Sequence, residues 1–350
     1  MLGRMAFVSF VLTCCVSHAV GQVYTDSFSY PNGSNVPGWT EKRGDWRVEN
    51  GRIFVTRLDS GPGHGYITKD GYNLRNSVTE ATVHYVEAVN TVKGVGLLAR
   101  EFGGPTSTRL VMCKAHDTGN PQPRGFDYFD VWEYPSEGGP SLGGSQMPVV
   151  ASCRVRFIVV DREASMLVDN DLDGIWERWL TRDLLTEFDP GETGCMGAHL
   201  PGLNLTSPHI DDFALFDAVL TSPDSTNNRR IGNPVVRVGA TLTLNLHGRT
   251  PNAAYLAACS LSNSPGIPID TRRIPLTPDG LTIASLVAPA IFVNFTGTLD
   301  GSASATAAIR IPAEPALGGQ RFFTAFVETV PTAPSGVAAI SNDLPTLILP

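Results

Sequence analysis

The sequence of 350 residues has only one long apolar run, and it lies at the N-terminus. No stretch after residue 21 approaches the ~20 apolar residues that a membrane-spanning helix needs. Arg4 precedes apolar residues 5–16, and small residues follow as far as Gly21. Because this order is typical of a secretory signal peptide, we predict a secreted or cell-surface product without a membrane span. Cleavage is expected after Gly21, with cleavage after Ala19 or lipidation of Cys14 as alternatives.

Cysteine is scarce in the remaining sequence and lacks the spacing of a metal site. Cys113, Cys153, Cys195 and Cys259 are the four that follow residue 21, and none belongs to a C-x-x-C pair. This argues against a structural zinc ion. In an exported chain, paired cysteines are the ordinary outcome. We predict a Cys113–Cys153 disulfide, while the third nearby cysteine, Cys195, leaves the connectivity open.

Positive charge is also limited and unevenly distributed. The net charge is -8; residues 22–225 hold 17 basic and 28 acidic side chains, whereas residues 226–350 hold eight arginines, no lysine and six acids. Without a basic stripe, nucleic acid is not an expected partner. All five tryptophans precede residue 180. These shifts in composition predict two domains after the signal peptide (1–21). They are a first domain (22–222) and a second domain (233–350), joined by a polar linker (223–232).

Helical periodicity is nearly absent, and alternating or β-branched segments dominate. Residues 44–55 form two alternating runs around Asn50-Gly51, which is a strong hairpin signal. Residues 176–188 are the one helical suspect, and we interpret them as a strand over 175–181 followed by a loop. The fold class is therefore predicted as all-β, with a jelly-roll sandwich of about 200 residues followed by a smaller immunoglobulin-like sandwich.

Five motifs resemble one known superfamily. They are Asp26-Ser27-Phe28, Gly38-Trp39, residues 44–52, residues 95–100 and Asp211-Asp212-Phe213. Residues 22–222 resemble the concanavalin A-like lectin/glucanase superfamily in its laminin G-like branch. The resemblance implies a jelly roll whose first and last strands are neighbours, but it implies no single activity, because that superfamily includes lectins, adhesion modules, hydrolases and lyases. The C-terminal part resembles an accessory module of secreted bacterial proteins, which implies no activity.

The segment Phe126–Tyr134 is the most ligand-like strand. Alternation places Phe126, Tyr128, Asp130, Trp132 and Tyr134 on one face, with Phe129 and Val131 on the other. Flat rings beside a carboxylate suit a sugar, whose C–H face stacks on the ring while its hydroxyls need acceptors. We predict that Tyr128, Asp130 and Trp132 contact a ligand. The alternative is that this larger aromatic set is the core face.

Acidic residues suggest calcium as the one expected cofactor. Asp169, Asp171 and Asp173, followed by Gly174, match the start of a calcium loop, but Leu180 stands at position twelve, where such loops have a carboxylate. The alternative is a plain hairpin turn. The superfamily resemblance implies a second possibility, in which Asp212 binds calcium with backbone carbonyls near Gly51. An exposed strand edge is the alternative there.

Known catalytic patterns are missing. A glycanase of this superfamily would carry carboxylates two residues apart, whereas Asp127, Asp130 and Glu133 are three apart. No metalloprotease or serine-hydrolase signature occurs. We predict a secreted, non-catalytic protein that binds carbohydrate or adheres to a surface, with glycan or another extracellular surface component as partner. The alternatives are a polysaccharide hydrolase or lyase of atypical motif, and a purely structural cell-surface protein.

Overall fold

A computed structural model describes residues 24–57, 63–86, 93–102, 109–119, 124–134, 140–174, 176–199, 208–223, 230–231 and 234–350. The predicted signal peptide, its cleavage site and most of the predicted linker lie outside the described residues. Within these ranges, no helix has the length and apolar character needed to cross a membrane.

The described residues of the N-terminal part form two antiparallel sheets. The eight-stranded sheet contains β1 (Tyr24–Asp26), β3 (Asp45–Glu49), β4 (Arg52–Arg57), β6 (Ser77–His84), β11 (Ser152–Val160), β12 (Glu163–Asp169), β13 (Arg178–Asp183) and β15 (His209–Phe216). The seven-stranded sheet contains β2 (Trp39–Arg43), β5 (Gly63–Leu74), β7 (Lys93–Phe102), β8 (Arg109–Asp117), β9 (Phe126–Tyr134), β10 (Ser141–Val150) and β14 (Gly191–His199). The strand orders are β13-β12-β11-β6-β15-β4-β3, with β1 on β15, and β10-β9-β8-β7-β14-β5-β2.

The predicted hairpin and the pairing of the chain's first and last motifs are both present. Asn50 and Gly51 take the positive φ that the turn between β3 and β4 requires. Strand β1 pairs with β15, with Asp26 opposite Phe213. The Asp26 carboxylate accepts hydrogen bonds from Tyr24, Tyr30, the Trp39 indole and the Phe28 amide. These bonds explain why an acid stands two residues before Phe28 in the first motif and why Trp39 belongs to the next one.

The two sheets enclose one core, and Cys113, Cys153 and Cys195 lie in it as free thiols. Trp46, Phe129 and Phe157 are among its fully buried members. Cys113 lies on β8 of one sheet and Cys153 on β11 of the other, and all four described cysteines are free and buried. The predicted Cys113–Cys153 disulfide is therefore wrong. A bond between them would have to cross the core from one sheet to the other, and the structure holds both as free thiols.

A second, smaller β-sandwich follows. One sheet contains β16 (Val219–Pro223), β17 (Arg230–Ile231), β19 (Thr241–His247), β23 (Phe292–Val293) and β25 (Ser304–Arg310). The other contains β18 (Val235–Arg237), β20 (Ala254–Ser260), β24 (Thr296–Thr298), β26 (Arg321–Thr329), β27 (Val337–Ile340) and β28 (Leu344–Leu349). Strands β21 (Ile267–Ile269) and β22 (Arg272–Ile274), helix α1 (Gly280–Val287) and the 3-10 turns Pro315–Leu317 and Pro334–Gly336 complete it.

The predicted all-β class is confirmed, while the immunoglobulin-like topology of the second sandwich stays a prediction. The domain boundary differs from the one predicted at residue 222. Strand β16, placed in the first domain by its sequence, pairs with β19 of the second sandwich. The change occurs after β15 ends at Phe216, because Asp217 and Ala218 carry the chain from one sandwich to the next.

The second sandwich packs against the outer side of the eight-stranded sheet, which we call the domain-facing surface. A buried apolar cluster joins Val78, Ile158 and Phe216 of this sheet to Val327 and Ile340 of the second sandwich. Beside it, Arg156 contacts Glu80 on its own sheet and Asp343 from the second sandwich. The outer side of the seven-stranded sheet is the opposite side of the first sandwich.

Candidate functional site

The outer side of the seven-stranded sheet carries the predicted ligand-binding residues. Phe129 and Val131 of β9 point into the core, whereas Trp132 and Tyr134 pack on a separate outer cluster. That cluster is formed by Tyr66, Leu98, Leu110, Met112 and Met196. Strand β9 pairs with β8 so that Tyr128, Asp130 and Trp132 lie opposite His116, Lys114 and Met112. We call the surface formed by Tyr128, Asp130, Trp132, Tyr134, Lys114 and His116 the aromatic face.

The alternation predicted for β9 is therefore correct from Tyr128 to Tyr134, and the alternative in which this set is the sandwich core is wrong. Phe126 is the exception, because it belongs to the core and meets the Tyr85 ring edge-on. Its register against β10 shifts between Tyr128 and Phe126, which breaks the alternation at this end of the strand.

A glycine on the neighbouring strand makes room for one of these rings. Gly144 of β10 pairs with Asp130, and a Cβ atom there would stand 2.3 Å from a ring carbon of Tyr128. Such a contact is far inside van der Waals separation. The Tyr128 ring therefore lies across strand β10, and any larger residue at position 144 would displace it.

Asp130 is the electrostatic centre of the aromatic face. Its side chain is buried, and Oδ2 lies 3.4 Å from His116 Nε2 and 3.9 Å from Lys114 Nζ. Lys114 Nζ also stands 4.4 Å from the centroid of the Trp132 ring, a cation–π contact. Burial lowers the pKa of Lys114, and Asp130 opposes that shift. One carboxylate and one ammonium group are thus held side by side over an indole.

Several buried polar atoms of the aromatic face have no hydrogen-bond partner. They are Asp130 Oδ1, Trp132 Nε1 and both ring nitrogens of His116. Native proteins leave few buried polar groups unpaired, because each one forgoes its hydration. These atoms include an acceptor, a donor and an imidazole that can play either part. Hydroxyl groups both donate and accept hydrogen bonds, and so they match all three kinds of atom.

The ring geometry fits a flat, partly apolar ligand. Trp132 and Tyr134 stack with centroids 6.0 Å apart and planes inclined by 22°. Tyr128 meets His116 at 5.0 Å in an edge-on arrangement. His64 approaches Tyr134 to 6.2 Å, and burial, with the nearby cations Lys114 and Arg43, lowers its pKa to about 3. His64 is therefore neutral at physiological pH.

The other two acids of strand β9 do not join Asp130. Asp127 accepts hydrogen bonds from the backbone and hydroxyl of Thr118. Glu133 is fully buried and accepts from the backbone amides of Leu185 and Thr186. Both carboxylates therefore stabilise neighbouring parts of the chain through hydrogen bonds. Strand β9 does not present two facing carboxylates of the kind that a glycoside hydrolase uses.

The turn between β12 and β13 gathers four acids. Ligand atoms of Asp169, Asp171, Asp173 and Glu177 all lie within 4.8 Å of one another. The two oxygens of Asp169 accept from the amides of Leu172 (2.7 Å) and Gly174 (2.9 Å). The hairpin turn and the acidic cluster thus occur together. Glu177 was not predicted as a ligand, although it stands at position nine of the calcium-loop pattern, a known ligand position.

The acidic turn has the chemistry that calcium requires. Burial raises the pKa of both Asp169 and Glu177, and neighbouring carboxylates add to both shifts. A bound divalent cation would offset this repulsion, and carboxylate oxygens are the donors that Ca²⁺ prefers. The four residues therefore fit a calcium ion.

Asp212 lies apart from this cluster. It is exposed, has a φ of 47° at a bulge in β15, and is not part of any group of three or more potential metal ligands among the described residues. It does line the same cleft of about 630 Å³ as Asp169 and Asp173. Asn263 of the second sandwich lines this cleft as well. The cleft therefore opens at the border of the two sandwiches.

A further charged cluster was missed by sequence reasoning. Glu101 on β7 pairs directly with Glu192 on β14. Lys42 Nζ lies 2.9 Å from Glu192 and 3.8 Å from Glu101, and Thr68 donates to Glu192. Glu101 is 3% exposed, its Oε1 has no partner, and burial raises its pKa to about 7. Only the strand order brings these distant residues together.

The chain is similar at low identity to several solved structures. The exoplasmic/lumenal domain of VIP36 in its Ca²⁺/Man-bound form is 12% identical, covering 52% of this chain and 83% of that chain, with a TM-score of 0.40. Carbohydrate-binding module CBM66 from Bacillus subtilis is 10% identical (50% and 91% covered; TM-score 0.36), and peanut lectin is 15% identical (55% and 95%; 0.39). No family model matches, and neither does any curated protein.

The fold is assigned from the strand order described above. The first sandwich has two antiparallel sheets with its first strand beside its last, β1 on β15, which is the arrangement that the resemblance stated from the sequence implies. The roles of individual side chains are a separate matter, to which these matches contribute nothing.

Proposed function

We propose that the protein is a secreted carbohydrate-binding protein whose aromatic face holds the glycan. The observation that carries this proposal is the set of unpartnered atoms on Asp130, Trp132 and His116 beside half-buried aromatic rings. An apolar ligand would leave these atoms unpaired, whereas a fully polar one would gain nothing from the rings. Sugars combine an apolar C–H face with hydroxyl groups that donate and accept.

Each residue has a defined part in this binding mode. Trp132 and Tyr128 provide platforms for the C–H face of a sugar ring. Asp130 Oδ1 accepts from a hydroxyl, while the Trp132 indole donates to one. Lys114 pairs with Asp130 through its charge and stands over the Trp132 ring. Export, predicted from residues 1–21, places the protein where extracellular glycans occur.

A glycan array on the full chain tests this function, followed by affinity measurements on the best ligand. We expect Trp132→Ala and Tyr128→Ala each to weaken binding by about fivefold, because an aromatic contact contributes on the order of 1 kcal/mol. Asp130→Asn keeps the shape but removes the charge, and should weaken binding by at least as much, because hydrogen bonds to charged groups are stronger.

Trp179→Ala is the matched control. Trp179 is 54% exposed on β13 of the other sheet, so its loss should leave both folding and binding unchanged. Binding is compared only at temperatures where thermal unfolding shows every variant to be folded. If Trp132→Ala binds as well as Trp179→Ala, the site lies elsewhere. An array without any bound glycan would favour the purely structural role instead.

We also propose that calcium binds at Asp169, Asp171, Asp173 and Glu177 as a structural ion. The ion would offset part of the negative charge of the four carboxylates and fix the β12–β13 turn beside the cleft between the sandwiches. Asp212 faces this cleft as a further acid and is not needed for the cluster.

Polysaccharide hydrolysis is the second candidate function, and one observation favours it. Glu101 and Glu192 are neighbouring carboxylates in different surroundings: burial raises the pKa of Glu101 to about 7, while Glu192 contacts Lys42 and accepts a hydrogen bond from Thr68. An acid–base pair of this kind is what glycoside hydrolysis needs. Release of reducing ends from the array ligand, abolished by Glu101→Gln, would support it. Intact ligand after prolonged incubation would exclude it.

A further inference from the structure

A pocket of about 400 Å³ opens at one end of the second sandwich, between its two sheets. It lies where β25 ends at Arg310 and β26 begins at Arg321, with helix α1 and the 3-10 turn Pro315–Leu317 as walls. Core side chains form its interior: Phe292, Ile309, Ile311, Phe322 and Ile348. The volume falls within the ~300–1,000 Å³ of small-molecule sites.

The charge around this pocket has one sign. Arg310 and Arg321 are its only charged lining residues, and neither forms an ion pair with any residue that the structure describes. Arg310 donates only a weak bond of 3.3 Å to the carbonyl of Ala290. Two cations at the opening of an apolar cavity complement a ligand with an apolar body and an anionic end.

The adjoining surface is apolar as well. Helix α1 contains no charged residue, and its Ile283 and Val287 are 66% and 71% exposed. Its N-terminus is fixed by a capping box in which the Asp279 side chain accepts from the Thr282 amide at 2.9 Å. The N-terminus of helix α1 is therefore held in place, and the helix exposes apolar side chains next to the pocket.

We propose that this pocket binds a single long-chain carboxylate, with its alkyl chain between the two sheets and its carboxylate paired with Arg310 and Arg321. The bounded volume favours one chain over a bilayer, which would need a broad surface. The pairing of an apolar interior with arginines favours a fatty carboxylate over a neutral lipid. The second sandwich would then be a ligand-binding module in its own right.

Calorimetric titration of the full chain with octanoate, decanoate and dodecanoate below their micellar concentrations tests the apolar part. Burial of one CH₂ contributes about 0.8 kcal/mol, so affinity should rise about fourfold per carbon until the pocket is filled. Equal affinity across the series would overturn the proposal. Dodecanol should bind more weakly than dodecanoate, and equal binding of the two would refute the role of the arginines.

Variants separate the charged end from the apolar interior. Arg310→Gln with Arg321→Gln should weaken dodecanoate by about fivefold and leave dodecanol unchanged, since exposed ion pairs contribute up to about 1 kcal/mol each. Ala316→Trp, at the exposed edge of the pocket, should abolish binding of both. Arg273→Gln lies outside the pocket and should change neither. Unaltered binding in the folded Ala316→Trp variant, or binding only to anionic phospholipid vesicles, would overturn the proposal.

Discussion

Each outer face of the first sandwich carries a cation over an indole beside a carboxylate, but only one of these two groups has a further partner from the second sandwich. On the aromatic face, Lys114 stands 4.4 Å from the Trp132 ring centroid, beside Asp130. On the domain-facing surface, Arg156 stands 4.7 Å from the Trp176 ring centroid and is bonded to Glu80. Each is a cation over an indole next to a carboxylate.

What differs is the partner. Asp343 of the second sandwich completes the domain-facing arrangement, accepting from Arg156 through both its side chain and its backbone carbonyl. The aromatic face retains unpartnered atoms on Asp130, Trp132 and His116. The domain-facing arrangement is completed by another part of the chain and contributes to stability, while the aromatic face is the one for which we propose a ligand.

The largest expected effect is on the completed side. Arg156→Met should lower the free energy of unfolding by about 3–5 kcal/mol, because it leaves the buried carboxylates of Glu80 and Asp343 without their common cation. Denaturant unfolding of the full chain measures this. Arg154→Met is the matched control, since Arg154 also contacts Glu80 but its side chain is 42% exposed; its loss should cost below about 1 kcal/mol. Equal costs would contradict the comparison.

The same contacts bear on the predicted domains. Independent folding of the two parts stays a prediction, which cleavage in the linker followed by size-exclusion chromatography would test. The shared apolar cluster and the Arg156–Asp343 pair lead us to expect that the nicked halves remain associated. Arg156→Met should then loosen that association.

Local patterns in the sequence predicted local structure well. The Asn50-Gly51 turn follows from turn chemistry, and the common face of Tyr128, Asp130 and Trp132 follows from alternation within a few residues. The pairing of the Asp26 and Asp211 motifs was predicted from the superfamily resemblance instead. Alternation alone could not tell whether that face was the core, because both faces of β9 contain aromatic rings.

Features that depend on strand order were not predicted. Glu101 and Glu192 meet only because β7 and β14 are neighbours, and Arg156 meets Asp343 only because the second sandwich docks on β11. The wrong disulfide has the same origin, since the sequence does not reveal that Cys113 and Cys153 lie in opposite sheets. Glu177 occupies position nine of the calcium-loop pattern, which is a ligand position. It was not predicted, because Leu180 stands where a complete loop has a carboxylate at position twelve.

Calcium binding should give the next largest change in stability. It tests the acidic cluster at the cleft between the two sandwiches. At a concentration about 100 times its Kd, an ion that binds only the native state stabilises it by about 2.7 kcal/mol. We expect calcium to raise the melting temperature relative to chelator, and Asp171→Asn with Asp173→Asn to remove that gain. Asp212→Asn should retain it, because Asp212 lies outside the cluster. A gain lost only in Asp212→Asn would move the ion to the site implied by the resemblance.

The smallest expected effect is a change in how steeply the stability depends on pH. It arises from buried histidines in both sheets of the first sandwich. Burial lowers the pKa of His64 on the aromatic face to about 3, and that of His84 and His209 on the other sheet to about 4. A lowered folded-state pKa contributes stability that is present above the unfolded value of about 6.5 and is lost as pH falls toward 3–4. Each histidine should therefore make the protein more sensitive to acid.

Two buried acids act in the opposite direction. Burial raises the pKa of Glu101 and Asp217 to about 7, so their contribution is present below about pH 4 and is lost as pH rises through 7. Unfolding midpoints between pH 4 and 8 separate the two groups. His64→Gln should reduce the loss of stability below pH 6.5 without altering the trend near pH 7, while Asp217→Asn should reduce the loss of stability toward pH 7.

Bound glycan gives the last test. If a glycan binds the aromatic face, it should shift the dependence of stability on pH in the wild type. The difference between wild type and His84→Gln should stay unchanged, because His84 lies on the opposite sheet. If that difference shifts equally, the two faces are coupled.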